Sequence, residues 1–140
     1  MATTAQFVAA PIIDIAQVTT ANANRNGTGT TVLVCSGPTF QAGPGIGKRI
    51  TRGVIEGITA NSAGVVRFYL SKDSGTSKSL YTEKVVTATA FAPTSPGFRS
   101  DIPELIGLVL PGATGSELCQ LYASTQTTDT FNIIIESGTL

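Results

Sequence analysis

Apolar side chains recur along this chain in short runs broken by turn residues, and no segment sustains the 3.6-residue period of a capped amphipathic helix. TTVLVCS (residues 30–36) is a continuous apolar run. VVRFYLSK, starting at Val65, alternates: Val66, Phe68 and Leu70 fall on one face, and Arg67, Tyr69 and Ser71 on the other. LYTEKVV (80–86) resumes that period, with Tyr81, Glu83 and Val85 opposite Leu80, Thr82 and Lys84. TFNIIIES (130–137) aligns Phe131, Ile133 and Ile135. Further strands are expected near 12–18, 49–59, 98–102, 105–111 and 117–125. Turn chemistry separates them, in Asn61-Ser62-Ala63-Gly64, Asp73-Ser74-Gly75 and Gly112-Ala113-Thr114-Gly115.

The pattern predicts an all-β protein of about eight strands, joined mostly in consecutive hairpins. Connections are too short for crossover helices, which excludes a parallel sheet. The expected fold is an antiparallel β-sandwich, an eight-stranded jelly roll, in one domain over residues 19–140. Residues 1–18 are expected to form an extended N-terminal arm carrying a short strand. No internal repeat is present.

Composition sharpens this picture. Hydrophobic residues make up 41% of the 140, but charged residues only 13%, about half the usual share. Thr, Ser, Asn and Gly supply the remaining polarity, which suits strands and turns. A mean hydropathy of +0.23 with so few charges implies that part of the surface is covered by other subunits. The net charge of +0 and pI near 6.2 lack the field of a nucleic-acid binder, so no nucleic-acid partner is expected. No run reaches the roughly 20 apolar residues of a membrane helix. The first basic residue is Arg25 and FVAAPIIDIA is broken by Pro11 and Asp14, so no secretory signal is read. Asn26-Gly27-Thr28 matches a glycosylation sequon but reads as a turn.

The stretch with the strongest look of chemistry is GPGIGKRITRG, residues 43–53. A phosphate loop needs Gly, four residues, then Gly-Lys-Ser/Thr. Counting back from Gly47-Lys48 puts Ala42 at the first glycine, and Arg49 stands where a hydroxyl must hold magnesium. The dinucleotide spacing fails at Lys48, and the β-branched residues and glycines that follow disfavour the helix both motifs require. The stretch therefore reads as a loop entering a strand. Histidine is absent, which removes the commonest general base and zinc ligand. Cys35 and Cys119 lack metal spacing and read as two buried free thiols, with pairing left open. Asp101 and Glu104 are the only acids close in sequence, and a solvated loop explains them better than hydrolysis does. Asp14, Asp73, Asp101 and Asp129 fall in or near predicted loops without a calcium-loop run. No catalytic residue, metal, cofactor or small-molecule substrate is expected. Arg25, Lys48, Arg49, Arg52 and Arg99 remain as candidate protein-interface residues, against the plainer reading of charges that guard strand ends.

TANANRNGTGT, RITRGVIEGI, AGVVRFYLSKDSGTSKSLYTE and the block from LIGLVLPG to FNIIIESG together resemble small β-rich virion proteins of tailed bacteriophages, of the capsid decoration (cement) or minor head type. The similarity is one of pattern and covers most of the chain from about residue 19. It implies a non-enzymatic protein on the capsid surface, made in the host bacterial cytoplasm. It also implies a homotrimer that binds the major capsid protein through many weak contacts repeated over a lattice. The alternative is a carbohydrate- or receptor-binding module of a tail or fibre. Against it stand three tyrosines, Tyr69, Tyr81 and Tyr122, and no tryptophan to stack on sugars.

Overall fold

The computed structural model describes residues 10–39 and 47–140. Among them are nine strands: β1 (Ala10–Val18), β2 (Val32–Ser36), β3 (Gly47–Gly57), β4 (Gly64–Ser71), β5 (Ser79–Val86), β6 (Arg99–Asp101), β7 (Val109–Pro111), β8 (Gln120–Thr125) and β9 (Phe131–Thr139). A 3-10 turn at Pro103–Leu105 lies between β6 and β7. The strands form two antiparallel sheets, as the pattern predicted. One runs β1-β9-β3-β6 with β7 also on β3, and the other runs β2-β8-β4-β5. β1 lies over β2, so β5 and β6 end the two sheets on the opposite flank. The strand expected at 12–18 runs Ala10–Val18 and pairs with β9 along its whole length. The rest of the expected arm and the glycine-rich stretch 43–46 lie outside the described residues.

The expected run of hairpins is corrected. Only β4 and β5 are both consecutive and paired, and most other connections cross from one sheet to the other. Periodicity tells which face of a strand is apolar but not which strand lies beside it. Crossing lets consecutive apolar faces converge from both sides on one core. Phe68, Phe131, Ile50, Ile55, Ile133, Ile135, Leu110 and Leu121 fill that core and are fully buried.

The strand expected at 105–111 is also corrected. Pro103 has no N–H to give a ladder, and Leu105 turns inward instead. Leu105 packs where β3 carries Gly53, whose missing side chain leaves room for Leu105 and Ile102. The segment still tracks β3: Ile102 N donates to Gly53 O and Gly107 N donates to Ile50 O, both at 2.8 Å. β6, the turn and β7 thus act as one interrupted edge, facing a bulge in β3 between Ile50 and Arg52.

β4 alternates as expected, yet both of its faces are buried. Val66 and Phe68 enter the core, while Arg67, Tyr69 and Ser71 lie on the outer side of the four-stranded sheet. That side is covered by residues 19–31, a strap crossing from β1 to β2. Asn22 N donates to Thr125 O at 2.8 Å. The Asn22 side-chain amide donates to Thr28 O and Thr30 O, and its Oδ1 accepts from Asn24 N, which folds the strap on itself. The polar stretch read as a loop is therefore a fixed part of the sandwich.

Candidate interaction faces

The five basic candidates fall in three settings. Arg25, on the strap, grips Glu83 of β5 with two hydrogen bonds of 2.9 and 3.0 Å. Glu83 also accepts from Arg67 Nε at 2.9 Å, and Arg67 donates in turn to Asn22 O. The hydrogen bonds from Arg25 and then Arg67 hold the Glu83 carboxyl below its usual range, and the bond to Glu83 in turn raises the Arg25 guanidinium. Lys48 is buried and points inward, where Nζ lies 3.3 Å from Asp14 Oδ2 on β1. Arg49, Arg52 and Arg99 stand on the outer face of the five-stranded sheet. Arg52 lies 3.6 Å from Asp101 and 4.0 Å from Glu136, and Arg99 lies 3.0 Å from Glu56. Arg49 is exposed and has no ion pair among the described residues.

Cross-strand register orders this outer face, because directly opposed residues point the same way. One row reads Ile13, Glu136, Arg52, and the next reads Ile15, Ile134, Val54, Asp101. Ile13 and Ile15 are each 66% exposed. On the opposite flank Val85 is 70% exposed, with Leu80, Tyr81 and Ile106 also open to solvent. The alternation of IID in β1 carried the signal for this face, since Ile12 and Ile13 occupy opposite parities and only one parity is needed for the core.

The candidate chemical groups do not converge. Asp101 is held by Arg52, while Glu104 offers only its carbonyl, which accepts from Tyr81 Oη at 3.2 Å. That bond places Tyr81 across the open edge between the sheets. A bulge in the β4–β5 ladder breaks the uniform face predicted for Tyr81, Glu83 and Val85. Asp14 sits on β1 and pairs with Lys48 of β3, Asp129 accepts from Ser62 N, and Asp73 accepts from Ser77 N and Ser71 Oγ. The Ser77 bond, then that of Ser71, lowers the Asp73 pKa. Among the described residues no three Cys, Asp or Glu side chains gather to hold a metal. Cys35 and Cys119 are free thiols. Burial pushes Cys35 up to about 12 and also raises Cys119, which is half-buried.

Two shallow clefts adjoin each other at Leu70 and Lys72. One, of about 350 Å³, is mostly apolar and includes Leu108, Leu110 and Cys119. The other, of about 500 Å³, is lined by Asp73, Ser77, Ser79, Leu80 and Tyr81.

Among solved structures, the chain has a weak likeness to a chain of the cyanophage Pam1 capsid asymmetric unit. The two share 15% identity at a TM-score of 0.41, over 100% of this chain and 91% of that one. No family model matches the chain. No curated protein matches it either.

Proposed function

We propose that this chain is a non-enzymatic structural protein of a tailed-bacteriophage virion, a decoration or cement protein. It binds the outer surface of the major capsid protein as a homotrimer and stabilises the head. The observation that carries this reading is the distribution of exposed aliphatic side chains. They lie on a broad sheet face and on both flanks of a scaffold whose buried polar groups are mostly bonded internally. Such a molecule is suited to adhesion over area. The resemblance of TANANRNGTGT and the later blocks to phage virion proteins gives the partner. Arg49, Arg52 and Arg99 are the charged contacts of the five-stranded sheet's outer face, and Arg25 is a contact on the opposite face, where the strap covers the four-stranded sheet. Lys48 supports the five-stranded sheet from inside through Asp14. We read the scaffold as a jelly roll, because with the short β7 set aside the order β1-β9-β3-β6 faces β2-β8-β4-β5.

The test is to add purified protein to capsids that lack it. Saturable binding with raised heat resistance of the heads is expected. Absence of saturable binding removes the capsid reading.

A second reading has one specific observation in its favour. The cleft with Tyr81 joins an exposed aromatic ring to Lys72, Asp73, Ser77 and Ser79, groups that pair with sugar hydroxyls. A glycan array decides it: binding that Tyr81→Ala abolishes would favour a receptor-binding module.

A further inference from the structure

We infer that copies of this chain associate head to tail, with the β1 edge of one copy paired to the β5 edge of the next. β1 has nine residues and β5 has eight, and among the described residues each pairs on one side only. A long apolar strand with a free row of N–H and C=O groups is a template for another strand. Pro11, which lacks an N–H, limits the β1 edge at its start.

The two edges complement each other and do not complement themselves. On the outer side β1 presents Ile13 and Ile15, and β5 presents Val85. On the inner side β1 carries Asp14, its one charge, whose side chain remains partly open although Lys48 is beside it. β5 carries Lys84, opposite Val66 and half-buried, with no ion partner among the described residues. Setting Asp14 beside Lys84 brings an isoleucine beside Val85 in either strand direction: Ile13 if antiparallel, Ile15 if parallel. Two β1 edges meeting about Asp14 would oppose two carboxylates, and two β5 edges about Lys84 would oppose two ammonium groups. Like charges directly opposite destabilise a strand pair.

β1 and β5 end different sheets on opposite flanks, so each copy keeps one free edge after making a contact. Such a contact is heterologous: it repeats from copy to copy, closing into a ring where the rotation between copies allows and otherwise running on as a filament. The chain's net charge of +0 adds no long-range repulsion between copies. This deepens the oligomer in the proposed function, and it concerns the chain alone, so capsid binding can fail without affecting it.

The experiment measures mass by sedimentation at micromolar concentration for the full chain, for Ile15→Asp, for Val85→Asp and for an equimolar mixture of the two variants. Both positions are mostly exposed, and unchanged urea midpoints at low concentration verify folding. The wild type is expected above the 14.4 kDa of one chain, each variant alone at one chain, and the mixture at two chains, since it retains one intact edge of each kind. A wild type that sediments only as one chain overturns the inference. So does a Val85→Asp variant that keeps its full mass while Ile15→Asp loses it, which would mean like edges meet. A mixture that stays at one chain also overturns it.

Discussion

The strap over the four-stranded sheet can be probed by removing one oxygen. Tyr69 is fully buried, and its Oη donates to Asn24 O at 2.8 Å and lies 3.2 Å from Ser124 Oγ. Tyr69→Phe keeps the ring and deletes both contacts. The Asn24 carbonyl belongs to an exposed residue, so water replaces the lost donor and the net loss there is about 1 kcal/mol. Ser124 is buried, and its hydroxyl is left short of a partner, costing about 1–2 kcal/mol more. The sum of roughly 2–3 kcal/mol corresponds to a fall in Tm of about 7–10 °C for a domain of this size. Urea unfolding should show the lower midpoint with an unchanged slope. Trypsin should also cut faster after Arg25, which lies on the strap. Tyr81→Phe removes the same atom from a ring that is 42% exposed and makes one 3.2 Å bond, and it should change stability by less than about 0.5 kcal/mol. If Tyr69→Phe also changes it by less than about 0.5 kcal/mol, with Arg25 still protected, the strap is not held by this hydroxyl and the reasoning fails.

Three further outcomes are expected. Ile133→Ala, at a fully buried site between the sheets, should cost about 3–4 kcal/mol in urea unfolding, and a loss under about 1 kcal/mol would mean the core can collapse around it. Glu83 and Asp73 have pKa values lowered by folding, so their contribution is complete above the unfolded carboxylate range and is lost as pH falls through the folded values. The stability gap between wild type and Glu83→Gln should therefore narrow on acidification below about pH 4, and a constant gap would exclude the Glu83 charge as its source. With Cys35 at about 12 and buried, an aromatic disulfide reagent at pH 8 should label Cys119 first, with both thiols reacting only after unfolding. Faster labelling of Cys35 would contradict its burial.

The readable and unreadable parts of this fold separate by distance along the chain. The faces of β4 and β9 followed from local alternation, because one residue's neighbours two positions away share its environment. The partners did not. Gln17 bonds Asn132 across 115 residues, and nothing in either run names the other. The strap shows a different limit. Its stability comes from the Asn22 amide bonding carbonyls six and eight residues onward and from Arg25 reaching Glu83, and neither leaves a periodic trace. An isolated arginine in an otherwise uncharged polar loop was the one sign that a carboxylate waits elsewhere. The exposed apolar faces were readable in part, through excess hydrophobicity. A strand with one face in the core needs apolar residues at a single parity. PIIDIA places isoleucines at both, and KVV places valines at both, so each carries more apolar surface than its own sheet can cover. Both runs proved to be edge strands at opposite flanks with the surplus residues outward. Burying that surplus requires something beyond the single chain, and the opposed inner charges, Asp14 on one edge and Lys84 on the other, favour a neighbour of the same kind.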